Sequence, residues 1–113
     1  MVRFATVRKL ALALPGVEER TSYGTPAFRV RDKVFCRLLE DGESIVVYVD
    51  PLERAELVEW KPQTFSVTEH YRNHPLVLVR LATAEREVLR EVLVESWRRR
   101  APRRLIADYD GKR

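Results

Sequence analysis

At 113 residues the chain has room for one domain, long enough to bury roughly 65% of its unfolded surface without staples. A single cysteine excludes an internal disulfide and fits a reducing, cytoplasmic compartment; no apolar run approaches the ~20 residues of a membrane span, and Arg8 and Lys9 interrupt the opening stretch where a secretory signal would be apolar. The net charge of +4 is sorted along the chain, with residues 1–37 carrying +5, residues 38–95 carrying −6 and residues 96–113 carrying +5.

Phe4, Val7, Leu10, Ala11 and Leu14 recur at helical spacing, which predicts an amphipathic helix over residues 3–14 that Pro15-Gly16 ends. From Ala27 to Leu38 the period changes to two. With Arg31-Asp32-Lys33 as a three-residue hairpin loop, Phe28, Val30, Val34, Cys36 and Leu38 point inward, while Arg29, Phe35 and Arg37 point outward. A two-residue turn would exchange the faces of the second strand. Asp41-Gly42 turns into a strand over residues 44–49 that is apolar on both sides, as an inner strand would be. Asp50-Pro51-Leu52-Glu53 is a helix start with its own cap, and this helix runs to about Trp60.

Residues 64–68 and 75–81 read as two further strands. Thr83 is placed to cap a long last helix whose inward stripe is Val88, Leu89, Val92, Leu93, Ser96 and Trp97. Pro102 stops it, leaving Leu105, Ile106 and Tyr109 for one short docked turn before a frayed tail. The order predicts a single α+β domain over residues 1–113, a mainly antiparallel sheet with the N- and C-terminal helices packed on one face.

Catalytic and cofactor chemistry finds little support. Glycines 16, 24, 42 and 111 fit neither phosphate-loop spacing, and no serine stands in a G-x-S-x-G context. Cys36 lies in an apolar strand, where a buried unreactive thiol is expected. His70 and His74 flank a strand connection that Pro75 keeps from becoming helical, so they lack the shared helical face a zinc site would use. No enzyme, cofactor or metal is expected.

Several spaced motifs resemble the MmcQ/YjbR-like family. They are Leu14-Pro15-Gly16-Val17-Glu18-Glu19, the hairpin stretch Tyr23-Gly24-Thr25-Pro26-Ala27-Phe28-Arg29-Val30-Arg31-Asp32-Lys33-Val34-Phe35, the stretch from His70 to Leu81, and Ser96-Trp97-Arg98 with Ala101-Pro102. The resemblance implies a frataxin/YjbR-like sandwich, described as a double wing, with DNA as the partner proposed from that shape. It supplies no catalytic residue.

Three readings follow. In the first, Arg29, Arg31, Lys33 and Arg37 of the hairpin and Arg98, Arg99, Arg100, Arg103 and Arg104 near the C-terminus neutralise DNA phosphates without reading sequence. In the second, the exposed sheet face around Phe35, Val46 and Tyr48 binds a protein or a small ligand, and charge serves solubility. The third, iron binding by analogy with frataxins, is opposed by Arg3, Arg8 and Lys9 on the first helix, where an acidic ridge would be needed.

Overall fold

The computed structural model describes residues 1–111; Lys112 and Arg113, counted in the C-terminal basic block, lie outside the described residues. Helix α1 is Phe4–Leu12, with Val7 and Ala11 buried. Strands β1 (Val17–Ser22), β2 (Thr25–Val30) and β3 (Lys33–Leu38) follow as two hairpins. Their turns, Tyr23-Gly24 and Arg31-Asp32, hold positive φ at both positions, as two-residue type I′ loops require. Strand β4 (Ser44–Tyr48) leads to helix α2 (Pro51–Trp60), where the Asp50 carboxylate accepts the Glu53 N–H at 2.8 Å. Strands β5 (Phe65–Ser66) and β6 (Leu76–Arg80) complete an antiparallel sheet in the order β1-β2-β3-β4-β6-β5. Helices α3 (Arg86–Arg100) and α4 (Arg103–Gly111) end the described chain. No helix among the described residues is long and apolar enough to cross a membrane.

The alternation expected of β4 sorts the two faces of the sheet. Ile45, Val47 and Val49 join Phe28, Cys36, Val77 and Val79 in the core under the helices, where Leu89, Leu93 and Trp97 of α3 cover them. Trp97 is fully buried; its Nε1 donates to the Pro15 carbonyl at 3.1 Å and its ring meets Tyr109 edge-on at 5.4 Å. The opposite face carries a smaller apolar group, Val46, Leu76 and Leu78, buried under Leu39, Tyr48 and Tyr71, the last from a single 3-10 turn at Glu69–Tyr71; none of the α-helices of the described residues packs on it. The α+β architecture is the expected one.

The β2–β3 hairpin departs from expectation in an instructive way. Its loop has two residues rather than three, because Val30 pairs with Lys33, yet Cys36 and Leu38 keep their inward places. A bulge reconciles the two. Arg29 pairs with Val34 and Phe28 with Cys36, so Phe35 is the extra residue. Phe35 is fully buried in the helix-side core instead of facing outward, and Val34 moves to the open face beside Arg29. The bulge opens a gap between β3 and β4 that Ser96 of α3 fills: its hydroxyl donates to the Phe35 carbonyl at 2.5 Å and accepts the Tyr48 N–H at 2.8 Å.

Three other expectations change. Strand β1 carries charge on both faces, which hides it from a periodicity reading; its inward Glu19 is held by Arg8 of α1 at 2.8 and 3.0 Å. Thr83 does not cap α3, whose N-cap is Glu85; the Thr83 hydroxyl instead donates to the Gln63 carbonyl at 2.9 Å. The short docked turn after Pro102 is a nine-residue helix, α4. Leu105 seats it over Gly16, where an added Cβ would lie 2.7 Å from Leu105 Cδ1.

These contacts set measurable costs. Ser96→Ala strands two buried backbone groups, and urea titration should report a loss of about 1–3 kcal/mol. Gly16→Ala meets Leu105 and also occupies φ 72, for which a loss of about 1–3 kcal/mol is expected. The Arg8 guanidinium, chiefly through its hydrogen bonds, holds the Glu19 carboxyl below its ordinary value. The stability this lends is full above the ordinary carboxylate range and disappears as pH falls through the lowered value. Glu19→Gln should therefore flatten the acid limb of the stability–pH curve, and an unchanged acid limb would remove this role.

Candidate functional site on the open sheet face

A cleft of about 700 Å³ lies on the face of the sheet opposite the four α-helices of the described residues, within the usual range for small-molecule sites. Strand alternation supplies its floor: with Ile45 and Val47 turned to the helices, Val46 and Tyr48 face the cleft, joined by Leu76 of β6. The β3 bulge adds a second consequence. Val34 and Arg37, three apart, would face opposite sides of a regular strand, but both line the cleft. The Tyr23 and Lys33 turns form two walls, and the connection carrying His70, Tyr71 and His74 forms a third. Arg54 of α2 fixes that connection from behind, donating to the carbonyls of His74 (2.8 Å), Leu76 (3.2 Å) and Arg72 (3.0 Å). His70 and His74 stand edge-on to the Tyr71 ring at 4.7 and 6.2 Å.

The cleft's cations differ in how they are occupied. Arg37 is fully engaged: it donates to Glu40 at 2.9 Å, to the Tyr71 hydroxyl at 2.9 Å and to Thr25 at 3.3 Å, with its guanidinium 5.4 Å from the Tyr23 ring centre. Arg100, the last residue of α3, donates through Nε to the Val34 carbonyl at 3.0 Å and lies 4.3 Å above the Tyr48 ring. Among the described residues its Nη1 and Nη2 have no hydrogen-bond partner and no carboxylate pairs with it. Lys33 is exposed at the rim, and it too has no ion pair among the described residues. Cys36 lies on the other face, fully buried, and burial pushes its thiol far above the ordinary value, which suppresses the nucleophilic thiolate.

The remaining arginines singled out in the sequence have several fates. Arg29 is on β2 opposite Glu18, with Nη1 4.0 Å from Asp32. Arg98 joins α3 to α4, meeting Asp110 at 2.6 and 3.2 Å, Glu95 at 3.8 Å and the Tyr109 ring at 5.5 Å. Arg99 is exposed and within the field of Glu53 on α2. Arg31 stands at the tip of the β2–β3 turn, and Arg103 and Arg104 are exposed in the first turn of α4. Two contacts bring that corner to the hairpin: Arg100 on the Val34 carbonyl, and Leu105 over Gly16 beside Val30. The elements that carry Arg31, Lys33, Arg100, Arg103 and Arg104 thus meet at one end of the sheet, while Arg29, Arg37 and Arg98 have acidic neighbours.

Sequence reasoning placed Phe35 on this face, and it is not there; it identified Val46 and Tyr48 but missed Tyr23, Tyr71 and Arg54. The tyrosines come from turns without periodicity, and the Arg54 contacts are to backbone carbonyls, which leave no pattern in side-chain types.

The YjbR family model matches residues 12–99. Uncharacterised proteins of Mycobacterium tuberculosis and Mycobacterium bovis are 38% identical over 78 residues, covering 69% of this chain and 53% of theirs. The chain therefore spans about half the length of the curated relatives it matches. The crystal structure of Deinococcus radiodurans protein DR2400, described by its DUF419 domain, has the same fold, with a TM-score of 0.73 and 24% identity over 86% of this chain and 77% of that one. The matched span holds the hairpin that builds the cleft and the Ser96-Trp97 pair that docks α3 beneath it, and the chain belongs to the YjbR family.

Proposed function

We propose that this chain is a sequence-tolerant nucleic-acid-binding protein, with DNA as its partner, and that it performs no catalytic step. The observation that supports this reading is the gathering of Arg31, Lys33, Arg100, Arg103 and Arg104 where the β2–β3 hairpin meets the α3–α4 corner. Cations from both basic blocks contribute to it, so the field there is stronger than the net charge of +4 implies. Guanidinium forks suit phosphate oxygens, and none of these five is neutralised by an ion pair among the described residues. Arg29, Arg37 and Arg98 contribute less, because Asp32, Glu40 and Asp110 already pair with them, and Arg99 lies within the field of Glu53 on α2.

Contacts made by turn residues and helix ends position a sugar-phosphate backbone and carry no base code. Anisotropy titrations with labelled oligonucleotides of unrelated sequence should give similar affinities. If about five phosphates are neutralised, the log–log salt slope on duplex DNA should lie near −4 to −5. The double variant Arg103→Gln with Arg104→Gln should weaken binding and make the slope shallower by about 2. Salt-insensitive binding, or a slope the double variant leaves unchanged, would refute the proposal.

A further inference from the structure

Nucleic-acid binding by the cationic corner leaves the open-face cleft unexplained, because a phosphate backbone needs no walled cavity with an apolar floor. We propose that the cleft is a binding site for a small anionic compound built on a flat ring, an aryl or heteroaryl phosphate or carboxylate. The inference concerns the cleft alone and does not depend on nucleic-acid binding.

Arg100 carries the argument. Its Nε is fixed by the Val34 carbonyl and its plane by the Tyr48 ring, so the guanidinium has little orientational freedom left to lose. Its two terminal nitrogens, without partners among the described residues, form a fork beside the cavity that matches a carboxylate or phosphate. Arg98, at the same helix end, has both terminal nitrogens on the Asp110 carboxylate. Lys33 adds a second unpaired cation on the same rim.

The remainder of the cavity specifies the body of the ligand. Val34 and the rings of Tyr48 and Tyr71 supply the half-exposed apolar surface for stacking or edge contacts, above Val46 and Leu76, which are buried beneath them. Arg37 is already occupied by Glu40 and Tyr71 and holds the wall in place. A bare anion would make no use of Val34 and the two tyrosine rings, and a neutral ring would leave the Arg100 fork unmatched. The volume of about 700 Å³ accommodates one such molecule.

The test uses phenyl phosphate as probe, with inorganic phosphate and phenol as separate arms, followed by calorimetry and by amide chemical shifts. Phenyl phosphate should bind saturably and at least about tenfold more tightly than either fragment. Its shifts should map to Val34, Arg37, Tyr48, Tyr71 and His74 and spare α1. Tyr48→Ala should weaken phenyl phosphate by about tenfold. Lys33→Met, a change at an exposed rim position, should weaken phenyl phosphate and keeps the test open should Tyr48→Ala fold poorly.

No saturation up to about 10 mM, shifts outside the cleft, or equal affinity for inorganic phosphate would overturn the inference. Phenyl phosphate binding without oligonucleotide binding would uphold it and remove the nucleic-acid reading; the reverse result would remove it alone. To separate a free compound from a strand end, oligonucleotides with and without a 5′-phosphate are compared. Equal affinities support the free compound, and a 5′-phosphate preference lost in Tyr48→Ala transfers the site to a strand terminus and overturns the small-compound proposal.

Discussion

The Ser96 hydroxyl, set between the Phe35 carbonyl and the Tyr48 N–H, is the contact on which the geometry of both faces depends. A bulge at Phe35 would otherwise leave a buried carbonyl and a buried amide facing each other across too wide a gap, at a cost comparable to a lost hydrogen bond for each. By filling that gap α3 is fixed in height and in rotation against β3 and β4. One residue further on, Trp97 enters the core and reaches the Pro15 carbonyl. One turn further on, Arg100 emerges where it can meet Val34 and the Tyr48 ring on the far side of the sheet. A single buried hydroxyl thus couples the packing of the helical layer to the charge on the open face.

How legible this was in the sequence follows from which interactions have a period. Alternation in β4 and β6 and the stripe of α3 were readable because each buries one face against a continuous partner. The Asp50 cap was readable because its chemistry is local. Strand β1 was not, since Glu19 reaches its inward place only by pairing with Arg8, a residue on another element. The hairpin was half readable: the two-residue turn and the Phe35 bulge each shift the register by one, and their effects cancel at Cys36 and Leu38 while moving Val34 and Phe35. Of the candidate site, the identity of the cations was visible in their clustering along the chain. Their division into paired and unpaired groups depends on which carboxylates the fold brings near, and spacing says nothing about that.

That division is the more informative result. Arg98 and Arg100 are two apart on one helix end, where the dipole favours any cation, yet their surroundings are opposite. Arg98 faces Asp110, Glu95 and Tyr109, and its charge helps fasten α4 to α3. Arg100 faces a carbonyl and a phenol ring, and its terminal nitrogens open onto a cavity. Helix-end electrostatics explains why arginines are tolerated at both positions and fails to explain the difference between them.

Desolvation decides how to read that difference. A half-buried guanidinium gives up part of its hydration, and without a carboxylate the loss is offset only by one neutral hydrogen bond and ring stacking. Stability alone would favour a counter-ion or an apolar side chain here, since the stem of a long residue could cover Tyr48 equally well. On the wall opposite, Arg54 binds three backbone carbonyls in and beside the His70–His74 connection and so fixes the place of Tyr71, which packs on Val46 and Leu76 and buries them from the open side. An unpaired cation beside a cavity is unfavourable for the isolated fold, and an anionic, ring-bearing molecule in that cavity would offset it.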